Sequence, residues 1–319
     1  MIKDTSASKI IVYEQLIPDT KGTIASLYDH WGIQPPQHHI HYTNNNPLEN
    51  DTSHMHLSTL EIEQIENQLG TLYLKSCSPY LSTIRSALSS KTWFGFDLDD
   101  TLHEFRKASS HASSSVFEAI HQESNISIDT LKATYADILR SKTASAFSDG
   151  RTSTEYRRER FSCLLQIHNL HTTEERLFRL LSIYQASLQT ALTRKPHAFT
   201  LLEKIKALNK NVIVVTEGPQ DSQEWTVEQL GLRPYIDIIV TTNEVGKAKV
   251  DGLFSVVLEK YHISARDIVY VGDNAVRDIL PAQEVGILAV LYDEKRDCRF
   301  DDPGVFRVNS LGKLVGLIE

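Results

Sequence analysis

The chain has 319 residues and a formal net charge of −8, which argues against a nucleic acid or an anionic membrane held by bulk charge; any anionic substrate must be captured by local cations. Its hydrophobic fraction of 41% is enough for a sizeable core, and its length suggests two domains or one large one. Cys77, Cys163 and Cys298 are widely spaced with no CxxC pair, which excludes a cysteine-based structural zinc site and fits a reducing compartment, and no apolar run reaches the ~20 residues of a membrane span, so a cytoplasmic protein without a membrane partner is expected.

In chain order, residues 1–91 read as an N-terminal extension, partly helical. Pro35–Asp51 is loop-like, and the histidines around it, His38, His39, His41, His54 and His56, match no closed metal-ligand spacing, so a polar loop is the expectation there. Leu57–Leu69 and Tyr80–Leu88 carry apolar residues at helical spacing, and the helices are expected to lie against the main body near Trp93–Phe96. That next stretch, Trp93–Phe96, is a short apolar strand that ends in Asp97, Asp99 and Asp100. Residues two apart at a strand end point to the same side, so Asp97 and Asp99 stand together and repel unless a proton or a cation intervenes. The competing reading is an acidic turn or helix cap after a buried strand.

Residues 105–194 follow as four helical segments, Ser110–His121, Ile128–Arg140, Thr154–Ile167 and Thr173–Leu192, with Val116, Ile120, Leu131, Ile138, Phe161, Leu164, Leu165, Leu177, Leu180, Leu181, Tyr184 and Leu188 on the core-facing stripes. From His197 onward short apolar strands alternate with helices: strands near Asn211–Val215, Ile236–Thr241, Asp267–Val271, Ile287–Leu291 and Val305–Val308. That alternation predicts an α/β fold with a parallel sheet covered on both faces, to which Trp93–Phe96 must also belong. The helical segments are then an insertion between the first and second strands.

Parallel strands deliver their carboxyl ends to one edge, where open α/β sheets bind ligands. Collected there are Asp97 and Asp99; Thr216, Glu217 and Gly218; a loop with Lys247 and Lys249; and Gly272, Asp273 and Asp278. This set suits phosphoryl transfer: carboxylates for a Mg²⁺ ion, a hydroxyl and backbone amides for phosphate oxygens with Gly218 permitting close approach, a lysine for the remaining charge, one Asp as nucleophile and a second as acid and base.

Asp97-Leu98-Asp99-Asp100-Thr101 after a strand, Val212–Thr216, a lysine, and Gly272-Asp273-Asn274-Ala275-Val276-Arg277-Asp278 resemble, in order, the four motifs of the haloacid dehalogenase-like hydrolase superfamily; the resemblance runs from about Thr92 to Glu319. It implies a Rossmann-like three-layer core of residues 92–104 and 195–319 and a helical cap of residues 105–194. It implies Asp97 as nucleophile and Asp99 as general acid and base. Mg²⁺ would be held by Asp97, the backbone carbonyl of Asp99 and Asp273, with Asp278 beside them, and phosphate by Thr216, an amide of Glu217 or Gly218, and the lysine. Lys249 matches best because Asp251 follows at the family's distance, with Lys247 as the alternative. Glu217 stands where relatives often have asparagine, so its side chain is expected to turn away or to pair with a cation or a substrate hydroxyl. An aspartate at position 99 implies a phosphatase or phosphotransferase rather than a dehalogenase. Gly150-Arg151 and Tyr156–Arg160 are candidate cap contacts, each arginine having a solvated salt-bridged helix face as its plainer reading, while His103, Glu104 and Arg106 sit at the cap entrance. The expectation is a Mg²⁺-dependent phosphatase of a small phosphorylated metabolite, with a phosphomutase or a non-catalytic scaffold as alternatives.

Overall fold

The structure is a computed structural model that describes residues 78–142, 147–295 and 306–318. The expectations for Ile10–Tyr13, Pro35–Asp51, the histidine cluster and Leu57–Leu69 lie outside the described residues.

Helix α1 (Ser78–Ser89) leads into strand β1 (Trp93–Phe96). Four helices follow: α2 (Phe105–Ser124), α3 (Ile128–Lys142), α4 (Ser153–Ile167) and α5 (Glu174–Ala191). The chain then alternates through α6 (Ala198–Ala207), β2 (Asn211–Thr216), α7 (Gln220–Gln229), β3 (Ile238–Thr241), α8 (Leu253–Lys260), β4 (Ile268–Gly272), α9 (Leu280–Glu284), β5 (Leu288–Tyr292), β6 (Phe306–Val308) and α10 (Leu311–Leu317).

The six strands form one sheet in the order β3-β2-β1-β4-β5-β6, and every pairing is parallel. β1 lies inside it: Phe96 is in register with Val214 on one side and Val271 on the other. Side chains alternate between the two faces, as strand geometry requires. Phe94, Phe96, Val212, Val214, Val269 and Val271 join the cluster that contains Leu201 and Ile205 of α6, Leu314 of α10, and Ile84 and Leu88 of α1. Ile213, Val215, Tyr270 and Leu291 face the other way, toward Phe254 and Val257 of α8 and Ala282 of α9. Helices thus cover both faces, giving the three-layer core. α1 belongs to the first of those layers, as expected for Tyr80–Leu88.

The helical insert has its own core, built on Phe161, Leu164, Leu131, Ile120 and Leu180. Of the stripe residues expected there, Leu181 alone is only partly buried; it sits at the margin of that cluster. α2 starts five residues earlier than the periodicity indicated. Asp100, held at φ 61°, accepts a hydrogen bond from the Arg106 amide at 3.1 Å, so the helix start is satisfied from the preceding loop. The insert joins the core through two strands of chain side by side. The Glu104 amide donates to the Thr193 carbonyl at 2.9 Å and the Lys195 amide to the Leu102 carbonyl at 2.9 Å. No described helix is long and apolar enough to cross a membrane.

Candidate active site

Asp97 leaves the end of β1 and its amide bonds the Val271 carbonyl of β4 at 2.9 Å, so the sheet itself fixes its position. Its carboxylate is buried and is bonded by two side chains, Lys249 and Thr101. Lys249 Nζ lies 2.6 Å from Asp97 Oδ1 and 2.6 Å from Asp278 Oδ1. Thr101 Oγ1 donates to Asp97 Oδ2 at 3.4 Å. Burial pushes the Asp97 carboxyl well above its usual range, helped by Asp278 and Asp99, while the Lys249 ammonium pulls it back. Lys249 feels burial in the opposite sense, but the Asp278 and Asp97 carboxylates outweigh it and hold the lysine well above its ordinary value. Lys247, by contrast, is exposed, so Lys249 is the lysine at this centre.

Asp278 is aimed by its own backbone. Its Oδ2 accepts from the Asn274 amide at 3.0 Å, across a single π-type turn, Ala275–Ile279. Gly272 is required for that approach, because a Cβ there would lie 2.5 Å from the Asp278 carboxyl carbon. Gly95 has a similar reason on β1: a Cβ would stand 2.8 Å from the Tyr270 ring. That ring lies under Lys249, 5.5 Å from Nζ to its centroid, and Tyr270 Oη donates to the Val215 carbonyl at 2.7 Å. Tyr270 is a supporting residue that sequence reasoning missed; the glycine in an otherwise bulky strand was its only trace.

Asp99 faces the same space but is held by different partners. His103 Nε2 is 2.8 Å from Asp99 Oδ1, and Gln223 Nε2 donates to Asp99 Oδ2 at 3.4 Å. Gln223 Oε1 in turn accepts from Thr216 Oγ1 at 3.0 Å. Thr216 is therefore fully buried with its hydroxyl turned toward Gln223, and the cavity wall at the end of β2 is made by Glu217, Gly218 and Pro219 instead. The Gly218 amide bonds Thr242 Oγ1 at 3.3 Å. Glu217 pairs with Arg277 and accepts from the Lys249 amide at 2.9 Å, so a cation is among its partners. Gln223 had no signal in the sequence.

One carboxylate oxygen from each of Asp97, Asp273 and Asp278 lies within 4.8 Å of the others. The donors are all hard oxygens, and burial followed by the Asp278 charge pushes Asp273 up as well. Such a set fits a small divalent cation of the Mg²⁺ type, whose charge relieves the repulsion. Asp99 contributes no carboxylate to that group. Arg106 borders it, with Nη2 3.2 Å from Asp273 Oδ2 and Nε 3.2 Å from Asp100 Oδ2. This assigns Asp100, which the sequence left without a firm role, to capping α2 and orienting Arg106.

Above these residues is a cavity of about 330 Å³. Its floor carries the acids and Lys249, and its roof comes from the insert, with Tyr135, Phe147, Tyr156, Arg157, Arg160 and Tyr184. The insert is fastened across the cavity mouth at several points. Asp221 of α7 accepts from the Ser153 amide at 2.9 Å and from its hydroxyl at 2.7 Å. Asn243 Nδ2 donates to the carbonyls of Phe147 and Arg151 at 3.2 and 3.1 Å. Of the candidate contacts from the insert, Arg157 and Arg160 reach the cavity, whereas Arg151 pairs with Asp149 and Glu159 and Arg158 with Glu174. His103 reaches Asp99, and Glu104 turns to Lys195, 3.0 Å away.

The family model for haloacid dehalogenase-like hydrolases matches residues 95–292. Among curated proteins, glyceraldehyde 3-phosphate phosphatase of Methanocaldococcus jannaschii is 31% identical over 137 residues, 42% of this chain and 60% of its own length. The match thus spans less than two thirds of that relative. Ribulose-1,5-bisphosphate 5-phosphatase of Halopiger xanaduensis is 25% identical over 63% of this chain and 84% of its own. Among solved structures, the HAD-hydrolase YfnB of Bacillus subtilis, bound to magnesium, superposes with a TM-score of 0.55 at 22% identity, covering 72% of this chain and 98% of its own. A 2-haloacid dehalogenase from Pseudomonas syringae pv. Tomato gives 0.53 at 21% identity, over 71% and 97%. At these identities the structural likeness is one of fold.

Proposed function

The chain belongs to the haloacid dehalogenase-like hydrolase family, and from that membership we propose that it is a Mg²⁺-dependent phosphatase of a small phosphorylated substrate. The observation that carries this reading is the division of labour between two carboxyls of one loop. Asp97 is locked by Lys249 at the strand end, while Asp99 faces the same cavity from His103 and Gln223. The named relatives are phosphatases of glyceraldehyde 3-phosphate and of ribulose bisphosphate, which supports the reaction class.

In the proposed reaction an Asp97 oxygen attacks phosphorus and the ester P–O bond breaks, leaving an aspartyl-phosphate. Asp99 gives its proton to the departing alkoxide. It then takes a proton from water, whose oxygen attacks the aspartyl-phosphate and releases inorganic phosphate and free Asp97. His103 and Gln223 fix the orientation of Asp99, with one hydrogen-bond partner at each oxygen. Lys249 places positive charge beside both Asp97 and the incoming phosphate. Mg²⁺ would be held by Asp97, Asp273, Asp278 and the Asp99 carbonyl, and would neutralise phosphate oxygens. The cap, in this reading residues 105–194, excludes water from the cavity.

The test is phosphate release from p-nitrophenyl phosphate with added Mg²⁺. Asp97→Asn is expected to abolish it, and chelation with EDTA to reduce it to background. A wild-type protein that releases no phosphate from this ester or from a broad panel of phosphorylated metabolites overturns the reading.

A further inference from the structure

Most arginines of the helical insert are engaged away from the cavity roof. Arg106, Arg140, Arg151, Arg158, Arg176 and Arg179 each pair with a carboxylate, and Arg194 donates to the Leu230 carbonyl at 3.3 Å. Arg157 and Arg160, the two that line the cavity roof, pair with no carboxylate among the described residues. Arg157 donates to neutral partners, Gln185 Oε1 at 3.0 Å and Ser222 Oγ at 3.3 Å, and lies 4.8 Å over the Tyr184 ring. Arg160 is held between aromatic faces, 5.6 Å from the Phe147 centroid and 5.8 Å from that of Tyr156, and its buried Nε and Nη2 have no hydrogen-bond acceptor among the described residues. The rings offset part of the charge, and the neutral Tyr135 hydroxyl lies close to Arg160, but none of them supplies an anionic oxygen to the guanidinium. Buried guanidinium N–H groups without an acceptor are costly, and such groups call for an explanation.

The cavity is therefore polarised. Among the described residues, every carboxylate in its lining comes from the floor or the loops beside it; the insert contributes no acid, and places Arg106 beside the floor carboxylates and Arg157 and Arg160 in the roof. With a phosphate on the floor over Asp97 and Lys249, the leaving group points at the roof. A neutral leaving group would leave that positive end unanswered.

We propose that Arg160, with Arg157 beside it, forms a second anion subsite that receives a carboxylate or a second phosphate carried on the leaving group of the substrate. This rests on the phosphatase reading, and it narrows the substrate class to esters with a second anionic group at the far end. Planar guanidinium groups suit both kinds of anion because their paired N–H donors match paired oxygens. Phe147, Tyr156 and Tyr184 would border the spacer between the two anions.

The test uses matched phosphate esters over a series of spacer lengths: ω-carboxyalkyl phosphates, their methyl esters, and the corresponding α,ω-bisphosphates. In the wild-type protein the anionic members are expected to exceed their neutral partners in kcat/KM by about tenfold or more at the best spacer length, mostly through KM. That ratio should fall toward unity in Arg160→Gln and be kept in part by Arg160→Lys. The carboxylate and bisphosphate arms show which anion fits. A ratio near unity in the wild type at every spacer length overturns the subsite, and this arm needs no variant to fold. So does a ratio unchanged in Arg160→Gln. Absence of phosphate release from all three series is a different result: it overturns the phosphatase reading, and the subsite with it.

Discussion

Lys249 bridges two buried carboxylates at 2.6 Å each, and the pair would face each other unscreened without it. Removing one partner of such a buried group is strongly destabilising because charge is left uncompensated. Lys249→Met should therefore cost about 3–5 kcal/mol in urea unfolding carried out with EDTA. Added Mg²⁺ should recover more stability in that variant than in the wild type, because the cation would take over the same charge. Gln223 acts differently. It joins Thr216 to Asp99 through neutral hydrogen bonds, so Gln223→Leu should lower kcat more than it raises KM and leave the melting temperature within a few degrees. Lys249 was legible in the sequence from its spacing to Asp251. Gln223 was not, because it becomes a neighbour of Asp99 only when α7 folds back over the end of β2. The same holds for Tyr270, which looks like any apolar strand residue until Gly95 opens the space for its ring.

At the scale of elements, the insert carries its own core around fully buried Phe161. Phe161→Ala is expected to cost about 3–5 kcal/mol, read by thermal or denaturant unfolding. The fastening of α4 to α7 is a separate matter, since Asp221 accepts three contacts from the start of α4. Asp221→Ala should leave the core helices protected while speeding hydrogen exchange at the amides around Ser153. The order of helices and strands from β1 to β6 was legible from the alternation of apolar strands with helical stretches, whereas α10 (Leu311–Leu317) was not anticipated. Ends were less legible: α2 begins at Phe105 because of a cap from Asp100, six positions back from the amide it receives, and no local pattern announces that.

Across the whole molecule, Lys195 ties the two connections between insert and core to the far side of the sheet. It bonds Glu104 at 3.0 Å and Glu294, just past β5, at 2.8 Å, and Tyr292 Oη donates to Glu294 Oε1 at 2.6 Å. Burial works against the Glu294 charge, but Lys195 and Tyr292 outweigh it, so the folded carboxyl sits below its usual value of 4.5. A depressed folded value means that the stabilisation is complete above the unfolded value and is lost as pH falls through the folded one. The melting temperature should accordingly drop below about pH 4.5, and Glu294→Gln should flatten that part of the profile. The α/β alternation made the parallel sheet legible from the sequence, and the strand-end residues made its functional edge legible. Lys195 was invisible, since its two carboxylate partners, Glu104 and Glu294, come from stretches of chain far apart in sequence.

The insertion between β1 and β2 also bears on the order of events during folding. Lys249 and Asp97 are 152 residues apart in the chain, Asp273 and Arg106 are 167, and Gln223 and Asp99 are 124. The insert, by contrast, closes within itself, chiefly by its first helix α2 packing on its last, α5, over a shorter stretch of chain that loop-closure entropy penalises less. Refolding should show helical signal well before catalytic activity, with the delay set by the search of β1 for its neighbours on both sides. Stopped-flow circular dichroism beside a phosphate-release assay on the same refolding sample would resolve the two. An active centre drawn from such distant stretches is the last thing this chain assembles, and hence the first thing a ribosome-stalled or C-terminally truncated copy would lack.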